Sequence, residues 1–358
     1  LLEVCPELGI FDLVIAPNGA VLHDPAAHTV DMLPPPPTAA FLPALPADAT
    51  KLDAPQAGVR ANAGLDGLDI ADVDRVDRLA AMRDGRLGSL HSWELVTAVD
   101  GPGTRMTVFL SGCPLRCLYC QNPDTLSMRD GRPVMADDVL TRLARYVPVF
   151  RATGGGLTLS GGEVLMQPAF AARLLRGAKG LGVHTALDTS GYLGARATDA
   201  MLDDTDLVLL DVKSGDPDTY RRVTGRELAP TLAFGERLAR RGLDGHGPEV
   251  WIRFVLVPGL TDAPANVEAV AASVSSLDRI RPGTVARVEV LPFHQMGRAK
   301  WAKVGRTYEL DDVQPPDPEL VGRVFQVGPA QGRGVADIEQ INKAVPVTIE
   351  RVKRGGSF

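Results

Sequence analysis

Three of the four cysteines of this 358-residue chain stand within eight residues of one another: SGCPLRCLYCQNPDT carries Cys113, Cys117 and Cys120 at C-x3-C-x2-C spacing. Three thiolates on so short a loop can close on one metal centre. A structural zinc site takes four ligands. No fourth lies close, since Cys5 is far upstream and His91 stands 22 residues before Cys113. Electron-transfer clusters also take four cysteines. A set of three suits a [4Fe–4S] cluster whose fourth iron is open to a non-protein ligand. Incidental cysteines, or zinc completed by a distant histidine, form the bland alternative.

Other residues could serve the same chemistry. Asp188 and Asp211 close apolar runs, where burying a carboxylate is costly unless it has a partner. Lys213 stands two residues after Asp211, so both can point to one face of a strand end, or form a solvated ion pair. Arg253 interrupts an apolar run. Alternation sets it with Trp251 and Val255, opposite Ile252 and Phe254, and a buried arginine needs an anionic or carbonyl partner. Gly161 and Gly162 let backbone approach a ligand, or merely end a strand in a turn. Asp100-Gly101-Pro102-Gly103 reads as a tight turn. His184 reads as structural, and His23, His28, His91 and His246 are given no role.

The elements that must position these residues follow from periodicity. MTVFL (106–110), GLTL (156–159), VHTAL (183–187), DLVLL (206–210), VWIRFVLV (250–257) and ARVEVL (286–291) have strand length. They are rich in Val, Leu and Ile on both faces, as buried parallel strands are. Between them, MADDVLTRLARYV puts Val139, Leu140, Leu143 and Val147 on one helical face, with Asp137 and Asp138 in its first turn. PAFAARLLRGAKGLG (168–182) and PANVEAVAASVSSL (264–277) read as further helices. Six β–α repeats predict a parallel α/β fold. Each motif falls just after a strand, and parallel barrels carry their chemistry on that rim.

Composition separates three zones. Residues 1–78 hold 12 acidic and 4 basic residues, and the remaining 280 hold 32 and 34. The net charge of −6 therefore belongs to the first zone, which also has ten prolines in its first 57 residues. Residues 1–80 are expected to be a disordered, dispensable extension, and Met82 offers an alternative start. The folded domain is expected over 85–325. The tail 326–358, with VADIEQINKAVPVTIERV, is left undecided between a helix and strand or a loose end. The charge argues against nucleic acid or an anionic membrane as partner. No apolar run approaches the roughly 20 residues of a membrane span, and the acidic N-terminus is no secretory signal. With four cysteines the default setting is reducing and cytoplasmic.

The cysteine triplet with Tyr119 before its last member resembles the radical S-adenosylmethionine (SAM) enzymes. The longer string HSWELVTAVDGPGTRMTVFLSGCPLRCLYCQNPDT resembles their glycyl-radical-generating branch, the pyruvate formate-lyase activating enzymes. The likeness continues, in order, through GGGLTLSGGEVLMQ, LDTSG, DLVLLDVK, VWIRFVLVPGLTD and LPFHQMGRAKW. Neither the first 80 residues nor the chain after Phe325 shares it. The resemblance implies an incomplete (β/α)6 barrel with one [4Fe–4S] cluster on Cys113, Cys117 and Cys120. It implies SAM contacts from Tyr119, Gln121, Gly162, Glu163, Arg253 and His294. It also implies a monovalent cation held by Asp188, Thr189, Asp211 and the Val212 carbonyl, with Lys213 beside it. Where the family has a histidine after the third cysteine this chain has Gln121, in keeping with a backbone contact there. Asp100, Gly101 and Asn122 are implied to hold the substrate peptide.

The implied reaction is one-electron cleavage of SAM to methionine and a 5′-deoxyadenosyl radical, which removes a glycine Cα hydrogen from formate acetyltransferase. Flavodoxin or ferredoxin is the implied reductant, and a monomer is expected. The rival readings are an activase of another glycyl radical enzyme and, from a different class, a non-catalytic metal-binding module. Residues 121–155 contain no cysteine, which favours the short type without extra clusters.

Overall fold

The computed structural model describes residues 12–16, 19–24, 29–32, 65, 67–97, 100–245 and 247–326. Strands β1 (Asp12–Ala16), β2 (Gly19–Asp24) and β3 (Thr29–Met32) pair antiparallel as a small sheet of their own. Apart from these strands and residues 65 and 67–80, the stretch 1–80 expected to be disordered lies outside the described residues, as does the undecided tail after Gln326.

The main sheet has eight strands. β4 (Leu87–Thr97) and β6 (Arg132–Met135) run antiparallel at one edge. Beside them β5 (Thr104–Leu110), β7 (Gly156–Gly161), β8 (His184–Thr189), β9 (Leu207–Asp211), β10 (Glu249–Leu256) and β11 (Val285–Pro292) follow in sequence order. Those six pair parallel throughout, and β11 does not close onto β5. This is the incomplete (β/α)6 barrel.

Helices α4 (Pro168–Gly180), α7 (Ala229–Arg241) and α8 (Pro264–Ile280) cover the sheet's outer face. Met106, Val108, Leu110, Leu157, Leu159, Leu187, Val208, Leu210, Ile252 and Phe254 are buried beneath them with Phe170, Leu174, Phe234 and Val270. Each such side chain contributes about 1.5–3 kcal/mol. The inner face differs from the sequence expectation of strands apolar on both sides. Thr107, Thr158, Ser160, Asp188, Arg253 and Glu289 share it, because it lines the site instead of packing against a helix.

Two further boundaries move. The helix expected over MADDVLTRLARYV, α2 (Ala136–Ala144), stops short, and Val147 at its expected end opens a second helix, α3 (Val147–Thr153). Pro148 lacks an N–H and would clash with the carbonyl of residue 144 in a continuous helix. The folded domain also begins before residue 85. Leu68 is buried in the main core, and α1 (Arg75–Arg83) packs on β4 and α4 with Ala81 buried. Asp74 caps that helix by accepting from the Val76 and Asp77 amides.

Candidate active site

The cysteine loop leaves β5 after Leu110 and is tied down on two sides. The Gly112 amide donates to the Thr125 carbonyl at 2.7 Å, and that of Cys113 to Leu126 at 3.1 Å. On the other side, the Arg116 and Leu118 amides donate to the Thr224 and Val223 carbonyls at 2.8 and 3.0 Å. Those carbonyls end α6 (Pro217–Thr224), where a helix leaves its last acceptors unpaired.

Cys113, Cys117 and Cys120 are free and half-buried. Burial pushes all three thiols up, Cys117 to about 12 even with Lys213 nearby. Such thiols stay protonated at neutral pH unless a metal takes the proton's place. Among the described residues no three Cys, His, Asp or Glu side chains close on a single-ion position. His91 is no fourth ligand. Its Nε2 is 2.9 Å from Asp124 Oδ2 and its Nδ1 is 2.8 Å from Ser92 Oγ. Three cysteines without a fourth protein ligand fit a cubane, where each cysteine holds its own iron, better than a four-ligand zinc site.

The segment after β11 covers the loop. Trp301, on α9 (Arg298–Lys303), donates its indole N–H to the Cys120 carbonyl at 2.9 Å. Gln121 Nε2 bridges the Tyr119 and His294 carbonyls at 3.2 and 2.9 Å. Lys300 Nζ holds Asn122 Oδ1 at 2.6 Å. Tyr119, Phe293, Trp301, Tyr308 and Leu310 form an apolar cluster against Cys117 and Cys120, shielding that flank from water. The His294 side chain stands exposed on the rim.

The glycine segment lies flat on the loop's base. Gly162 donates to the Leu110 carbonyl and Glu163 to that of Gly112, both at 2.8 Å. A Cβ on Gly162 would stand 2.5 Å from the Gly112 oxygen. The Glu163 carboxylate, expected to meet SAM, turns inward instead and is buried. One oxygen accepts from Leu165 N at 3.1 Å and Thr189 Oγ1 at 2.6 Å, the other from Ser190 N at 3.0 Å and from Ser190 Oγ. Its acceptor positions are filled, so Glu163 braces β7 against β8. Thr189, expected at the cation, has its hydroxyl engaged, since Oγ1 also accepts from Gly191 N at 3.0 Å.

The rim carries more negative than positive charge. Arg253 Nη1 lies 3.6 Å from Asp188 and 3.8 Å from Asp100, and its Nε 3.4 Å from Glu289. Lys213 Nζ is 2.6 Å from Asp211 Oδ2 and 5.9 Å from the centre of the Tyr119 ring. Arg287 Nη1 lies 3.6 Å from Glu289 Oε1, so four carboxylates face three cations, all but Arg287 at most 20% exposed. Burial, opposed by Arg253, raises Asp188 to about 7 and lifts Glu289 as well. Against the cost of their own burial, the carboxylates hold Arg253 and Lys213 above their ordinary range. Asp188 Oδ1 and Gln121 Oε1 are buried acceptors without partners. A ligand bearing an ammonium and a sulfonium group, as SAM does, suits such surplus charge and such acceptors.

Sequence reasoning did not single out Arg105, which is fully buried. It donates to the carbonyls of Pro102 at 3.1 Å and Leu157 at 2.6 Å and to Thr158, whose hydroxyl holds the Asp100 carbonyl at 2.8 Å. It staples the Asp100–Gly103 turn to β7. Burial lowers it to about 10. The available signal was an arginine directly after a glycine turn in an otherwise apolar strand. Ser160, which donates to Asp188 at 2.6 Å, was likewise passed over, as were Glu289, Lys300 and Trp301 as positioning groups.

The sequence profile of the Radical SAM superfamily matches residues 107–268. The pyruvate formate-lyase-activating enzyme of Clostridium pasteurianum is 42% identical over 233 residues, 65% of this chain and 93% of that one. That of Staphylococcus epidermidis is 41% identical over 246 residues, 67% and 94% of the two chains. A solved domain of pyruvate-formate lyase-activating enzyme from Bacteroides vulgatus aligns at 24% identity and a TM-score of 0.38, covering 49% of this chain and 92% of that one. On the strength of the two long sequence matches, the chain belongs to the pyruvate formate-lyase-activating enzyme family of the radical SAM superfamily.

Proposed function

We propose that this protein is a radical SAM activase that installs the glycyl radical on pyruvate formate-lyase (formate acetyltransferase). The observation that carries this is the juxtaposition of the Cys113–Cys120 loop, the Gly162 backbone and the surplus carboxylates of one rim, in a chain 42% identical to a relative of that name. When bound, the cluster and SAM supply the reductive cleavage that yields methionine and a hydrogen-abstracting 5′-deoxyadenosyl radical. The chemistry belongs to the cofactors; the chain positions and shields them.

Cys113, Cys117 and Cys120 would hold three irons, and the backbone at Gly162 borders the place left for SAM. Asp188 Oδ1 is the free buried acceptor for the SAM ammonium or for a monovalent cation, with Asp211 and the Val212 carbonyl beside it. Tyr119 and Lys213 form one wall of that place. Asp100 and Gly101, fixed by Arg105, and Asn122, fixed by Lys300, flank the mouth where a glycine-bearing peptide would enter. His294 completes the rim. The reductant is a low-potential flavodoxin or ferredoxin, the protein acts as a monomer, and its setting is the cytoplasm. Among the described residues no helix is long and apolar enough to cross a membrane.

Anaerobic reconstitution with iron and sulfide, then reduction with SAM, tests the reading. 5′-Deoxyadenosine is expected from the parent chain and none from Cys117→Ala. Added pyruvate formate-lyase should acquire a glycyl radical signal by electron paramagnetic resonance. A folded, loaded chain that yields no 5′-deoxyadenosine overturns the assignment.

A further inference from the structure

The outer lip of the cysteine loop carries charge that nothing in the SAM site uses. Arg116 is exposed, and its Nη1 donates to the carbonyls of Cys113 at 2.8 Å and Leu115 at 2.7 Å. Exposed Arg226 donates from Nε to the Pro114 carbonyl at 2.8 Å. Arg222, exposed on α6, precedes the two carbonyls that hold the loop. Among the described residues none of the three has a carboxylate partner, whereas their neighbour Arg221 is taken by Asp218 and Glu227.

Two poles result. The mouth, on the inner face of the strands, holds four carboxylates against three cations. The lip, on the helical side of the same loop, holds Arg116, Arg221, Arg222 and Arg226 against Asp218 and Glu227, a positive surplus although the whole chain is net −6. The activation proposed above needs one electron from outside, delivered while SAM and a peptide fill the mouth. An acidic protein is repelled from the mouth and drawn to the lip, where the backbone from Cys113 to Arg116 separates solvent from the metal ligands. We propose that Arg116, Arg222 and Arg226 form the docking lip for a small acidic one-electron carrier protein. The carrier loses one electron and the bound cluster gains it, with no bond or proton moved. This rests on the radical SAM reading and assigns that site its electron entry.

Stopped-flow bleaching of the reconstituted cluster, with iron content checked, tests it. Two reductants are compared: a reduced acidic flavodoxin and photoreduced 5-deazaflavin, a small molecule that needs no docking. Arg222→Glu touches no loop carbonyl. It should slow flavodoxin-driven bleaching about tenfold at low salt, with the difference fading at about 1 M salt, and leave the deazaflavin rate unchanged. Arg279→Glu, at the C-terminal end of α8 and so at the opposite end of the barrel, should change neither rate. Equal flavodoxin rates in Arg222→Glu and the parent overturn the docking lip, as does an equal loss with both reductants. Failure of 5′-deoxyadenosine formation with deazaflavin in the parent instead refutes the activity and is a separate result.

Discussion

At the scale of residues, the carboxylates divide by what surrounds them. Glu163 is filled by four donors and Asp188 is left with an empty buried oxygen. Glu163→Ala should cost about 2–3 kcal/mol of folding stability, because it strands Thr189 and Ser190 donors in the interior. Urea unfolding measures this, and Glu163→Gln should recover part of the loss. Asp188 has its folded pKa raised to about 7, above its ordinary value of 3.8. Between those values the folded chain holds a proton that the unfolded chain has released. Apo stability from this group therefore falls as pH climbs from about 4 to 7, and Asp188→Asn should flatten that part of the melting curve. SAM affinity should move the other way, strengthening as folded Asp188 ionises on passing through about pH 7, as isothermal titration would show.

At the scale of elements, the site is a joint between the ends of β5, β7 and β8, closed from above by α9. Gly162 is where the glycine segment meets the cysteine loop most closely. Gly162→Ala puts a methyl group 2.5 Å from a backbone oxygen, and neither backbone can yield without moving the loop. The helices do not depend on that joint. The variant should keep its circular dichroism while its iron content after reconstitution falls to a small fraction of the parent's. Full iron loading would show that the loop tolerates displacement.

At the scale of the whole molecule, one sheet serves two surfaces. Its outer face holds the core together, and its inner face spends part of that stability on buried charge at the rim. The folded unit includes the turn and helix before β4. A chain beginning at residue 65 should keep the 5′-deoxyadenosine yield of the full chain. One beginning at residue 85 loses the burial of Leu68 and Ala81, worth about 2 kcal/mol, and should melt about 5 °C lower. Calorimetry of the two chains compares them directly. Equal melting temperatures would mean that α1 is ornament to the barrel.

By itself the sequence determined the elements and the chemistry available. Short apolar runs and Gly and Pro boundaries are local, so the six parallel strands were legible. So was the cysteine triplet, because its ligands share one loop. What only the tertiary structure decided was which groups meet. Glu163 and Ser190 lie 27 residues apart, Lys300 and Asn122 178 apart, and no local pattern says that they touch. The inner face of the strands could not be told from the outer by composition, since both are buried. The split at Pro148 and the start of the fold at Leu68 follow from local clashes and caps that act only once α2 and β4 are in place. Whether a carboxylate is a brace or a ligand depends on how many donors reach it, and the packed barrel alone fixes that count.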